Sequence, residues 1–184
     1  PVYFVSTSVV RREGLGNPLH AGQELVCGEP TDTDWALPMD QIPRCEATVT
    51  LRVVEGYQAA EFSAESRGLF YRSAFQVSPR SDRMGYRLEG NAVEAPPGER
   101  LSEGIAYGAV QVPPDGQPIV LLNDRQTIGG YPKLGTVLSL DCWKLAQCVP
   151  GAKVCFEVIS LEAAQAAVEE SAAAREATAL KRSA

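Results

Sequence analysis

Proline and glycine interrupt this chain every few residues, with 13 prolines and 16 glycines among 184 residues. Neither sits well inside a helix or a central strand, so the apolar segments between them stay short. Short β-branched segments bounded by turn residues are the pattern of a β-barrel or β-sandwich. Residues 2–10 read as a strand, and residues 13–40 as loop with a short strand at 23–27. Residues 47–54 alternate at period two and predict a half-buried strand ended by Gly56. Residues 59–67 predict a short helix, 69–77 an aromatic and β-branched strand, 86–88 a strand closed by Gly90, and 96–98 a turn. The strongest hairpin joins 109–112 to 118–123 through Pro113-Pro114-Asp115-Gly116. Asp141 is placed to cap a helix over 142–147 that Pro150-Gly151 ends, and residues 153–159 form the last core strand. Ser160 then caps a helix from Leu161, whose end past Ser171 has little to pack and is expected to fray. There is no internal repeat and no alternation of strands with helices.

Composition narrows the function classes. Hydrophobic residues make up 45% and charged residues 22%, which are globular values. With 17 Lys and Arg against 23 Asp and Glu, the net charge is −6, and no basic stripe offers a footprint for nucleic acid. No apolar run is long enough for a membrane helix. The start, Pro1-Val2-Tyr3-Phe4-Val5, lacks the flank and core of a secretory signal and has no initiator methionine, so the chain reads as a processed or excised piece. Five cysteines at irregular spacing, Cys27, Cys45, Cys142, Cys148 and Cys155, contain no C-x-x-C pair and read as reduced thiols in a cytoplasmic protein. His20 is the single histidine, which excludes a His-rich metal site and leaves no obvious base for a catalytic thiolate. Gly14-x-Gly16 lacks the third glycine and the helix of a dinucleotide fingerprint.

Polar residues with chemical potential gather between Ser81 and Pro132. Arg83 and Arg87 stand at an even offset, which on a strand places them on one face, able to hold a carboxylate or phosphate. Two solvated surface arginines would show the same spacing. Glu103, in Ser102-Glu103-Gly104, is a candidate general base or partner of Arg83, although most glutamates are simply solvated. The segment Asp124-Arg125-Gln126-Thr127-Ile128-Gly129-Gly130-Tyr131-Pro132 follows an apolar strand, where polar groups are well placed to line a site. Gly129 and Gly130 allow positive φ and close backbone approach, Gln126 and Thr127 supply neutral donors and acceptors, and Tyr131 can stack or cap a pocket. An ordinary Gly-Gly turn is the plainer reading. Arg83, Glu103, Gln111, Asp124, Gln126, Thr127 and Tyr131 are expected to converge on one concavity at strand ends.

Ordered motifs carry a family resemblance. Arg83-Met84-Gly85-Tyr86-Arg87-Leu88-x-Gly90, Ser102-Glu103-Gly104, residues 108–121, Asp124-Arg125-Gln126-Thr127-x-Gly129-Gly130-Tyr131-Pro132 and Leu145-Ala146-Gln147-x-x-Pro150-Gly151 together resemble the KipA-like, allophanate-hydrolase-subunit-2 family. That family includes the C component of bacterial 5-oxoprolinase and half of the carboxyltransferase domain of urea carboxylase. The likeness runs from about Leu51 to Ala163. Residues before about Arg44 match poorly, the family's N-terminal portion is not found, and Ile128 replaces the second threonine of the usual Thr-Thr-Gly-Gly-Tyr-Pro.

The resemblance implies a cyclophilin-like β-barrel over residues 46–163, preceded by a loop-rich segment with an edge strand over 1–45 and followed by a C-terminal helix and tail over 164–184. It implies part of an ATP-dependent 5-oxoprolinase or of a carboxyltransferase acting on urea, working with a KipI-like module. ATP or carboxybiotin would arrive through partner domains, since the chain has neither a P-loop nor a biotinyl Met-Lys-Met segment. On the small amide substrate, Arg83 and Arg87 would hold negative charge and Gln111, Gln126, Thr127, Gly129, Gly130 and Tyr131 would bind and orient it. Glu103 or Asp124 would do the acid–base work, and no metal is implied. Two other readings are a non-catalytic module that binds and antagonises a KipI-like kinase inhibitor, and an inactive structural fragment.

Overall fold

The computed structural model describes residues 19–25, 28, 35–36, 48–98, 100–177 and 181–182, with side chains for all but 35–36 and 181–182. The expected strand at 2–10 lies outside the described residues. Packing divides the chain into two units, residues 1–36 with 181–184, and residues 37–180. In the first, β1 (Trp35–Ala36) pairs antiparallel with β11 (Lys181–Arg182). Residues 23–25, expected to begin a strand, are irregular.

In the second unit β2 (Thr48–Glu55), β3 (Phe75–Val77), β4 (Gly85–Glu89), β6 (Ala109–Gln111), β7 (Ile119–Leu121), β9 (Lys133–Val137) and β10 (Lys153–Val158) close into a barrel. Its strand order is β10-β2-β9-β6-β7-β4-β3. β2 and β10 run parallel, with Leu51 beside Phe156; the other neighbours are antiparallel. A second pair, β5 (Glu103–Gly104) with β8 (Ile128–Gly129), stands apart from the barrel sheet.

The period-two pattern of β2 explains its orientation: Val49, Leu51 and Val53 are buried while Thr48 and Thr50 face water. Phe70, Phe75, Leu88, Val110, Val120, Leu134, Val154 and Phe156 complete the interior. Phe70 stacks on Phe156 at 4.3 Å between ring centres, and burial of each such ring contributes about 1.5–3 kcal/mol. The β6–β7 hairpin forms as expected, its turn closed by the Gly116 N–H donating to the Pro113 carbonyl with Gly116 at φ +72°.

Three helices accompany the barrel among the described residues: α1 (Ala64–Arg72), α2 (Ser139–Ala146) and α3 (Leu161–Glu176). Three expectations need correction here. The short helix expected at 59–67 is a 3-10 turn, Tyr57–Glu61, followed by α1, which absorbs the start of the strand expected at 69–77; only Phe75–Val77 is extended. Ser63 caps α1 by accepting from the Ser66 N–H, and Ser66 and Phe70, one helical turn apart, face inward. Asp141 is no N-cap: α2 begins at Ser139, and the buried Asp141 side chain binds Arg52 of β2. Finally, α3 continues past Ser171 to Glu176, since alanine and glutamate are strong helix formers and Arg175 complements the dipole at its end.

Candidate active site around the β5–β8 pair

Glu103 of β5 lies opposite Gly129 of β8, and the Ile105 N–H donates to the Thr127 carbonyl at 3.0 Å. Arg125 locks this corner by donating to the Ile105 carbonyl at 3.1 Å and the Leu122 carbonyl at 3.3 Å. On the neighbouring barrel wall, Gln111 of β6 lies opposite Lys133 of β9, just past a register shift in that ladder. A strand irregularity of this kind re-aims side chains, often beside functional sites.

The Glu103 carboxylate is the hub of a polar cluster. Tyr57 donates its hydroxyl, Gln58 its carboxamide, and Lys133 its ammonium at 3.0 Å. Lys133 also donates to the Gly104 carbonyl at 3.1 Å, and its own N–H donates to Gln58 Oε1 at 2.7 Å. The hydrogen bond from Tyr57, then that from Lys133, holds the Glu103 carboxyl below the usual carboxylate range. The same bond to Glu103 raises the Tyr57 phenol. Arg83, expected as a partner of Glu103, instead pairs with Asp124 at 2.9 Å in an exposed ion pair. Tyr57, Gln58 and Lys133 are additions that the sequence does not signal. Gln58 lies 45 residues from Glu103 in a stretch without periodicity, and Lys133 follows Pro132 directly but carries no motif signature of its own.

Gln111 is 1% exposed, and its Nε2 is buried without a hydrogen-bond partner among the described residues. An orphaned buried donor costs roughly 1–3 kcal/mol, so it marks a place where stability has yielded to something else. That nitrogen lies against Gly129, where an added Cβ would stand 3.2 Å from Gln111 Nε2, 3.7 Å from Gln126 Nε2 and 2.7 Å from Ile105 Cδ1. Two carboxamide nitrogens therefore converge on the bare Cα of Gly129. This corrects the reason for the Gly-Gly pair: neither Gly129 nor Gly130 has positive φ, and Gly129 serves close approach alone.

The remaining candidates are distributed more widely. Gly130 and Tyr131 line a cleft of about 550 Å³ together with Arg100 and the proline-rich 92–98 loop. Arg83 occupies a bend before β4, so the even-offset rule that places it on one strand face with Arg87 does not apply; Arg87 itself lies exposed on β4. Among the described residues no three His, Cys, Asp or Glu side chains group closely enough to hold a metal ion. No described helix is long and apolar enough to cross a membrane.

Known proteins align with this architecture. The family model described as carboxyltransferase domain, subdomain A and B, matches residues 1–158. The chain belongs to this carboxyltransferase-domain family. The match begins at residue 1, well before Arg44, so the likeness is wider at the N-terminal end than the motifs suggest. The chain is 44% identical over 115 residues to the C component of 5-oxoprolinase from Escherichia coli K12, covering 62% of this chain and 37% of that protein. It is 42% identical over 133 residues to the C component of 5-oxoprolinase from Haemophilus influenzae, covering 68% and 43%. It thus spans about two fifths of the curated relatives it matches. The crystal structure of TTHA0988 superposes with a TM-score of 0.63 at 38% identity, covering 77% of this chain and 28% of that one. Urea carboxylase of Kluyveromyces lactis superposes at 0.65 with 22% identity, over 73% and 13%, a likeness of fold. The closed mixed barrel with its C-terminal helix is the cyclophilin-like fold of the family.

Proposed function

We propose that this chain is a component of a cytoplasmic 5-oxoprolinase, working on the small amide 5-oxoproline together with a KipI-like partner. The two curated relatives, both named as the C component of 5-oxoprolinase, support the reaction class. The observation that carries the site is the buried Gln111 Nε2, without a hydrogen-bond partner among the described residues, beside Gln126 Nε2 at Gly129. Opening a lactam shifts negative charge onto its carbonyl oxygen, and fixed donors already in place are suited to hold that charge. In this reading Gln111 and Gln126 face the carbonyl oxygen, and Thr127, Gly129 and Gly130 shape the wall. Glu103, kept ionised by Tyr57 and Lys133, serves as a charge partner and hydrogen-bond acceptor. Asp124 holds Arg83, and Arg83 and Arg87 offer their charge to an anionic group brought by the partner.

The donor set fits a small amide and not a triphosphate: the site holds three carboxamides, Gln58, Gln111 and Gln126, and one ammonium that is already paired with a carboxylate. ATP, or carboxybiotin in the urea-directed alternative, is therefore assigned to partner domains. Exposed Tyr57, Leu101, Ile128 and Tyr131, on or beside the β5–β8 pair, support a docked companion. The test is reconstitution with a KipI-like component and the remaining subunits, followed by turnover of 5-oxoproline with ATP and of urea with bicarbonate and biotin carboxylase. Gln111→Leu should cut 5-oxoproline turnover about 100-fold or more, as loss of one preorganised donor does. Turnover of urea alone would move the assignment to carboxyl transfer. Unchanged turnover in Gln111→Leu would remove the site.

A further inference from the structure

Of the two carboxamides that meet at Gly129, burial fixes only one. Gln111 sits inside the barrel wall, whereas Gln126 lies exposed on the segment between β7 and β8. An exposed glutamine has many rotamers to lose, and packing does not select one for it. What keeps Gln126 beside Gln111 therefore has to act through the backbone that carries it.

Both chain neighbours of Gln126 are tied to one residue. The Thr127 carbonyl accepts the Ile105 N–H at 3.0 Å, and Arg125 Nε donates to the Ile105 carbonyl at 3.1 Å. Ile105 is a fixed reference point. It is buried in an apolar cluster with Ala109, Ile119 and Leu121 of the barrel, and its Cδ1 stands 2.7 Å from where a Cβ on Gly129 would lie. Arg125 reaches the barrel a second time: its Nη1 donates to the Leu122 carbonyl at 3.3 Å, just past the end of β7. Its guanidinium also lies over the Tyr107 ring, 5.9 Å from the ring centre. One planar fork thus spans two carbonyls and an aromatic face, and the residue after it is Gln126.

We propose that Arg125 is a positioning residue of this site: by clamping the Ile105 and Leu122 carbonyls it sets the backbone that aims the Gln126 carboxamide at Gly129, beside that of Gln111. The two donors are then in place before charge develops on a bound carbonyl oxygen, which is the condition under which fixed donors accelerate a reaction. The inference rests on the reading of the site as a small-amide centre, and deepens it by naming what orders the exposed half of the donor pair. Arg125 acts only through Gln126 and touches no reacting atom. Lysine cannot stand in for it, because one ammonium is a point charge where the guanidinium bridges separate partners. Misplacing a preorganised group by about 1 Å can cost about 100-fold in rate.

The test applies two readouts to Arg125→Ala, Arg125→Lys, Gln126→Ala and the double variant Arg125→Ala with Gln126→Ala, each checked by thermal melting. In the chain itself, the side-chain amide NMR signals of Gln126 should lie away from free-glutamine positions. They should move to those positions in Arg125→Ala, while the Gln111 signals stay. In the reconstituted enzyme, Arg125→Ala should lower kcat for 5-oxoproline about 100-fold with KM within about twofold, and Arg125→Lys about tenfold. The double variant should be no slower than Gln126→Ala alone, because residues that act as one unit do not add. If Arg125→Ala fails to fold, Arg125→Lys carries the same comparisons. Gln126 signals that do not move, a loss that falls on KM with kcat kept, or losses that multiply in the double variant would each overturn the proposal while leaving the proposed function standing. Full turnover in Gln126→Ala would overturn both. A reconstituted wild-type enzyme without 5-oxoproline turnover would refute the proposed function, and the Gln126 signals would then decide the positioning role by themselves.

Discussion

Asp141 shows how far a residue's role can depart from its place in the chain. It sits where a helix cap would, yet its side chain is fully buried and receives Arg52 Nε and Nη2, both at 2.8 Å, and Lys144 Nζ at 2.7 Å. Burial alone would raise its carboxyl, but the hydrogen bonds from Arg52 and Lys144 outweigh it and the proton affinity falls. Asp141→Asn should destabilise the fold by about 1.5–3 kcal/mol in urea unfolding, since it removes charge-assisted hydrogen bonds from two half-buried cations to a buried carboxylate. The folded-state pKa lies below the unfolded value of about 3.9, so this stabilisation is complete above that pH and is lost as pH falls through the folded value. The gap between wild type and variant should accordingly narrow below about pH 4. Cys142 makes a second residue-scale case. Burial pushes its thiol up to about 11, so at pH 8 iodoacetamide should label Cys148 and Cys155 well before Cys142, as peptide mass mapping of native protein would show. Equal labelling of all three would contradict this burial.

At the scale of elements, the caps of α1 and α3 look alike in sequence but carry different weight. Ser63 accepts from the Ser66 N–H at 3.0 Å, and Ser160 from the Ala163 N–H at 3.1 Å. α1 delivers Phe70 into the core against Phe75 and Phe156, whereas α3 buries only Ala164 among its described residues. Ser63→Ala should therefore lower global stability by about 1 kcal/mol in denaturant unfolding. Ser160→Ala should leave it within about 0.5 kcal/mol and show only as lost helical signal, because frayed helix ends open locally. A larger loss from Ser160→Ala than from Ser63→Ala would mean that α3 packs more than its exposure indicates. α1 also shows why Leu69, Phe70 and Tyr71 resemble a strand in sequence and are not one. Aromatic residues suit a strand on propensity, but the Ser63 cap and the one-turn spacing of Ser66 and Phe70 decide for helix.

On the scale of the whole molecule, the chain spans 37% and 43% of two curated relatives, and its polar cluster contains no activated nucleophile. Orientation and charge stabilisation are what such a cluster can supply, and in the proposed function another component delivers the activated group. The isolated chain should show negligible turnover of 5-oxoproline or urea with ATP, and activity should appear only on adding the partner subunits. A steady-state assay of the purified chain decides this, and robust turnover by the chain alone would refute partner dependence.

Much is legible in the chain itself. The alternation over β2, the Pro113–Gly116 turn of the β6–β7 hairpin and the Ser160 cap are local signals, and local sterics and hydrogen bonding produce them without help from distant residues. Motif order from Arg83 to Pro132 likewise carries the family. The site is only partly legible, because its geometry depends on pairs far apart in sequence. Glu103 finds Tyr57, Gln58 and Lys133 only after β5 docks on β8 and the barrel closes β6 onto β9. Charge alone matches Arg83 to Glu103, but the fold brings Asp124 to it instead. Backbone freedom is the sequence argument for Gly129, yet what makes it glycine is the approach of Ile105 and Gln111. Spacing along a strand reports which face a side chain takes; which partner waits on that face is set by closure of the barrel, which no local window of sequence contains.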